Sequence, residues 1–439
     1  MIRSARPTEI IPRILGLLVL GFMGVAVSAG AMETWEELFL YSLQWQSPVD
    51  ATNEMLDRIE DAGSKIDSLD LLALIEESHA GARPSVLAAD ILNESGRWPA
   101  VAAFPGGDYV ISYERSDDPR YQEYDEEGAE DGDEVTIIDG NSDRPDVAVD
   151  EDHNVWVVFE WSGLIYLFHE DDQEHIYRIS NVVSVSQENS AIAVNGDGYA
   201  ACVWESKLTD TQVQLRFARF SDSSDQVKVE DDVLDVSDNY NSDQQDPDIA
   251  VNSDDEFLVV WTKDDNDIKA NLFERGKLEP KDDFKVALSS AEGDRGKPRV
   301  AALRDDYFFV VWEDERSRPE REAEIWGRLV TGKEEFVNAS DFRVDDSPVA
   351  ARRPAVTALE DRDQFLVVWA DGRAGDHRIY GLLVDTTGKV IGASFFIAQA
   401  GAELKRIDVT AGKDDARPGE FILAWEENDE LRAGLYRLP

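Results

Sequence analysis

Short apolar runs, bounded by Asp, Gly and Pro, recur in a fixed order along this chain. Three are near copies: EFLVVWTKDD from Glu256, YFFVVWEDER from Tyr307 and QFLVVWADGR from Gln364. Runs of this length, rich in β-branched and aromatic residues, predict β-strands. In the last copy Phe365, Val367 and Trp369 point one way and Leu366 and Val368 the other. Both faces are apolar, so the sheet is expected to be covered on both sides. A parallel α/β sheet would also satisfy this, but it needs crossover helices. The connections here are too short and too rich in Asp and Gly for helices.

Each run belongs to a larger unit. A phrase like RPAVTAL comes first, then one like QFLVVWAD, then one like IYGLLVD, and last a shorter strand like SFFIA. Seven first phrases can be aligned: WPAVAAF at 98, RPDVAVD at 144, NSAIAVN at 189, DPDIAVN at 246, KPRVAAL at 297, RPAVTAL at 353 and RIDVTAG at 406. The second phrases end on Tyr113, Phe159, Trp204, Trp261, Trp312, Trp369 and Trp425, 45 to 57 residues apart. That is the period of a four-stranded propeller blade. Ala102, Ala148 and Ala301 in the first phrases suit a crowded innermost strand. The predicted fold is all-β: a seven-bladed β-propeller of four-stranded antiparallel blades over residues 85–439. The last unit holds only three strands, and residues 85–92 read as the strand that pairs with it and closes the ring, leaving no long exposed edge.

The segment before the ring reads differently. Residues 1–31 resemble a signal peptide: Arg3, Arg6 and Arg13, an apolar run from Ile14 to Val27, and Ala29-Gly30-Ala31 as a cleavage site. The mature chain is then expected to be secreted, periplasmic or extracellular, without a transmembrane segment. Residues 32–84 read as a short helical segment. Met55, Ile59, Ala62, Ile66 and Leu69 form a stripe that packs on the ring or on a partner helix. The single cysteine, Cys202, excludes an internal disulfide and sits among apolar neighbours, as a buried inert thiol does.

Charge narrows the partners. The formal net charge is −49, with 92 acids against 43 Lys and Arg. Nucleic acid and anionic membrane surfaces are repelled by such a body. A protein or glycan partner remains. The residues after the strand-end aromatics are the candidate ligand site: Asp314 with Arg316, and Asp371 with Arg373. Asp264, Asp265 and Asp267 form an oxygen-rich set that suits Ca²⁺; the competing reading for all of these is turn chemistry and local pairing. The run Glu123 to Glu134, eight acids in twelve residues, is expected to be a solvated loop. His169 and His175 are expected at the surface of the second unit.

The phrases VVWEDER…EIWGRLV (Val310 to Arg316, Glu324 to Val330) and VVWADGR…RIYGLLVD (Val367 to Arg373, Arg378 to Asp385) resemble the repeats of bacterial secreted β-propellers. They are more loosely similar to the propeller of TolB-like envelope proteins. The resemblance implies the fold and leaves the activity open, because propellers host many functions. On sequence alone a non-enzymatic binding or scaffolding propeller ranks first. A carbohydrate-active hydrolase or lyase with acids at the propeller mouth is the alternative, and a structural surface-layer component the third.

Overall fold

The computed structural model describes residues 84–439, less 174, 181–185, 210–211, 223–226, 230–233, 238–241, 276, 278–281, 289–292, 304–306, 317–322, 348–349, 373–376 and 414–415. The expected signal peptide and nearly all of the expected helical segment lie outside the described residues.

Seven antiparallel sheets follow one another along the chain, forming a seven-bladed propeller. The innermost strands are Arg97–Ala103, Ser142–Val149, Ser186–Val194, Gln244–Val251, Arg295–Leu303, Ala351–Leu359 and Leu404–Ala411. We number the blades 1 to 7 in that order. Blade 3 carries an extra short strand, Leu234–Asp235. Blade 7 takes three strands from the end of the chain, and its outermost strand, Ser85–Ser95, pairs with Glu430–Arg437. Among the described residues the helical turns are two three-residue 3-10 turns, and no helix is long and apolar enough to cross a membrane.

The core lies between adjacent blades, because each sheet is apolar on both faces. Phe257, Val259 and Trp261 of blade 4 pack on Tyr199, Ala201 and Val203 of blade 3. The alternate residues Leu258 and Val260 pack on Phe308, Val310 and Trp312 of blade 5. Tyr113, Phe159, Trp204, Trp261, Trp312 and Trp369 thus each face the preceding blade. Trp156, Trp204, Trp312 and Trp369 are completely buried, as is Cys202, whose thiol burial pushes well above its usual range.

Two expectations are corrected. The acidic run is not a loop: Glu130–Thr136 is the outer strand of blade 1, paired with Asp118–Tyr124. Its charge is managed locally. Asp125 Oδ1 accepts the turn amides of Glu127 (3.0 Å) and Ala129 (2.8 Å), and Arg115 and Arg120 each reach Glu134 at 2.5 Å. His169 is fully buried, its ring 4.2 Å from that of Trp156 on the neighbouring strand of blade 2; His175 is exposed and pairs with Asp172 at 2.6 Å.

Candidate functional site

Each inner strand enters the channel through a β-bulge. The pairing register slips at Arg97/Ala100, Asp143/Asp146, Glu188/Ala191, Gln245/Asp248, Gly296/Arg299 and Arg352/Ala355, and at Leu404/Arg406 in blade 7. In six blades the bulge holds a non-glycine residue in left-handed conformation: Trp98, Arg144, Asn189, Asp246, Lys297 and Arg353, with φ between 50° and 59°. For a side chain with a Cβ this conformation costs about 1–2 kcal/mol. It persists where the surroundings over-determine it, and a bulge re-aims the side chain it carries. Proline follows in five blades, where its missing N–H costs the ladder no bond.

Acids of the preceding blade hold three of these bulges. Glu426 accepts the Trp98 amide at 3.1 Å, Glu205 that of Asp246 at 2.8 Å, and Glu313 that of Arg353 at 2.7 Å. All three follow a strand-end tryptophan directly, so a shared Trp-Glu pair joins one blade to the next.

The bulged residues surround a cavity of about 530 Å³ at the N-terminal ends of the inner strands. Six cations line it: Arg144, Lys297, Arg299, Arg353, Lys405 and Arg406. Four have acidic partners within 4 Å: Arg144 with Glu188, Lys297 with Glu313, Arg353 with Glu403, and Lys405 with Asp429 and Glu426. Trp98 is a platform between two arginines, with Arg144 at 4.9 Å and Arg406 at 5.0 Å from its ring centre.

Two positions beyond the bulge, the same strands present Asp146, Asp248, Arg299 and Asp408, where blades 1, 3 and 6 have alanine. Each aspartate uses Oδ2 to accept an amide of another blade: Ile192 at 3.0 Å, Val300 at 2.7 Å and Val101 at 2.8 Å, respectively. Burial raises all three carboxyls, Asp248 to about 6 and Asp408 to about 7, with the charge of Asp146 adding to both. Burial lowers the Arg406 guanidinium, and Arg299 lowers it further. The arrangement offers carboxyls titrating near neutrality beside fixed positive charge, a setting for proton transfer or for holding an anion.

The opposite mouth is larger, about 660 Å³, but small apolar residues line most of it, with Asp150, Glu151, Glu360, Asp361 and Lys413 as its charged residues. It has fewer charges than the N-terminal mouth and no aromatic residue in its lining, so it is the weaker candidate.

Of the residues singled out from sequence, those that are described line neither mouth of the channel. Asp314 is fully buried and accepts from Trp312 Nε1 (3.0 Å), Arg295 Nε (3.0 Å) and Arg316 Nε (2.8 Å); Arg316 also pairs with Asp341 at 2.7 Å. Asp371 is fully buried and accepts from Trp369 Nε1 at 3.3 Å. Arg373 lies outside the described residues. Asp264 and Asp265 lie in the hairpin turn after Lys263, and Asp267 opens the strand that follows. Asp264 Oδ1 accepts the Asp243 amide at 3.0 Å, and Asp267 pairs with Lys285. No group of three or more His, Cys, Asp or Glu side chains with metal-holding geometry occurs among the described residues. The channel residues escaped notice because each is one charged letter in a repeated phrase. The available signal was the column itself: a position that is alanine in three units and charged in four.

No family model matches this chain, and no curated protein does. Solved propellers do. A polysaccharide lyase, PL25 ulvan lyase, aligns at 10% identity over 81% of this chain and 96% of its own, with a TM-score of 0.52, and at 0.51 when bound to -[GlcA(1-4)Rha3S]-. An α-L-arabinofuranosidase from Fusarium graminearum aligns at 12% identity over 66% of this chain and 91% of its own, with a TM-score of 0.47. None of these is TolB-like, so that looser resemblance gains no support. At such identities the likeness establishes the fold.

Proposed function

We propose that this chain is a carbohydrate-active propeller that receives a saccharide at the N-terminal mouth of its channel and cleaves it. This places the carbohydrate-active alternative above the non-enzymatic module that the sequence ranks first. The observation that carries the reading is the cluster of Asp146, Asp248 and Asp408, three inward carboxyls with raised pKa values. Glycosidic cleavage needs one protonated carboxyl to donate its proton to the leaving glycosidic oxygen and another group to act as base or nucleophile. Asp408, held at about 7, and Asp248, held at about 6, are the pair from which the acid and the base are drawn. A propeller of the same fold that acts on polysaccharide, the ulvan lyase, is compatible with this reading.

One observation favours binding without chemistry. Each aspartate already spends one oxygen on a backbone amide of another blade. The test is a polysaccharide panel incubated with the protein and with Asp408→Asn. We expect new reducing ends with the parent and a loss of roughly 100-fold or more in the variant. An unsaturated uronate chromophore in the products would mark a lyase, and its absence a hydrolase. Glycan binding without any cleavage would return the protein to the binding reading.

A further inference from the structure

Acids outnumber cations 92 to 43 in this chain, so a cation at a channel mouth is expected to find a partner. Arg144, Lys297, Arg353 and Lys405 do. Arg299 and Arg406 form no ion pair within 4 Å among the described residues, although Asp146, Asp248 and Asp408 stand near enough to act on them electrostatically. The Arg299 guanidinium donates only to the Pro298 carbonyl of its own strand, at 2.8 Å. Arg406 forms no hydrogen bond or ion pair with any described residue; it lies over the face of Trp98. A guanidinium laid on an aromatic face keeps its N–H fork free in its own plane, which suits two-pronged capture of a carboxylate or sulfate.

These two arginines line the same cavity and repel each other, yet the inner strands hold both there. The three aspartates around them offset part of this charge from a distance but supply no acceptor to either guanidinium. Each is committed through one oxygen to a backbone amide, and none forms an ion pair with either guanidinium. Guanidinium donors that line a cavity without a side-chain acceptor of their own leave hydrogen-bonding capacity that an anionic ligand can fill.

We propose that Arg299 and Arg406 bind the anionic group, a sulfate ester or a uronate carboxylate, of an acidic saccharide, with Trp98 as the positioning platform of Arg406. The proposal rests on the carbohydrate reading above and narrows it to acidic glycans.

Calorimetric titration of the full chain tests it. The ligands are inorganic sulfate, a neutral oligosaccharide, a sulfated neutral oligosaccharide and an unsulfated oligouronate, all at one ionic strength. We expect the sulfated or the uronate ligand to bind, the neutral one to bind at least tenfold more weakly, and sulfate to compete. Which acidic ligand binds identifies the anion. Arg406→Gln and Arg299→Gln should each weaken binding roughly tenfold or more, the scale of a lost charged hydrogen bond. Arg406→Lys, which keeps charge and loses the fork, should fall between, and it stands in if either Gln variant fails to fold. Lys333→Gln, on an exposed turn of blade 5, should bind like the parent. Equal binding of neutral and acidic ligands, unaffected by Arg406→Gln, overturns the anion pair and leaves the carbohydrate reading intact. Sulfate bound by the parent and lost in Arg406→Gln, with no glycan bound, does the reverse. No binding of any ligand overturns both.

Discussion

Asp408 faces a channel in which its charge is costly, and that cost appears in stability as well as in chemistry. Unfolded, it titrates near the ordinary carboxylate value of 3.8; folded, burial raises it to about 7. The folded state therefore keeps a proton that the unfolded chain has lost. The resulting stability is fully present below about pH 4 and is lost as the pH rises through about 7. Asp408→Asn keeps an oxygen for the Val101 amide and cannot ionise. The variant should melt above the parent at pH 8, with the advantage vanishing near pH 4. Paired melts across that range check this, and a constant gap between the two proteins would show that Asp408 does not titrate in this way. The acids that follow the strand-end tryptophans play another part. Glu205, Glu313 and Glu426 accept bulge amides of another blade, so they belong to the frame beneath the site.

Two strands show how much of the architecture is local and how much is not. The strand ending on Trp369 carries its own instructions: alternating faces, an aromatic at the end, and an aspartate two residues on that receives the indole N–H. Trp312 and Asp314 repeat the motif, with Arg295 and Arg316 gathered around the same carboxylate. These residues take part in local pairing of the kind the linear pattern suggests. The strand Ser85–Ser95 is different. It completes a sheet whose other strands lie at the far end of the chain, with Leu92 buried in the cluster shared by blades 7 and 1. Removing residues 85–95 exposes the edge of Glu430–Arg437 and opens the last blade. The deletion should lower the melting temperature of the whole ring and promote association through that edge. Calorimetry and light scattering read both effects; a deletion variant that melts like the full chain and stays monomeric would show that closure contributes nothing.

Across the whole molecule one balance decides the response to salt. Ion pairs on the surface are worth about 0–1 kcal/mol each and weaken on screening. An excess of 49 negative charges repels itself and is relieved by the same screening. The excess is larger than the number of cations available to pair, so repulsion wins. The melting temperature should rise by several degrees from low to molar NaCl, and a flat or falling curve in differential scanning calorimetry would contradict this. The same field bears on the anion site. At low salt the acidic body opposes the approach of a polyanion to Arg299 and Arg406. At physiological ionic strength the Debye length is about 8 Å, and the local charges of the channel govern capture.

The repeat of alternating apolar phrases was sufficient for the blade, because strand faces are written by period-two patterning within a few neighbouring residues. Seven such phrases imply a seven-bladed ring. The candidate site could not be read in that way. Val101 and Asp408 meet across 307 positions of sequence, and Arg406 finds Trp98 only because the last blade lies beside the first. In the chain these residues are single charged letters in phrases whose repetition points to architecture. Ring closure brings them to one mouth. There the bulges turn them inward, burial shifts their protons, and two arginines form no ion pair with any described residue. Packing patterns are local enough to survive in one dimension; convergence, desolvation and the balance of charge around a site exist only in three.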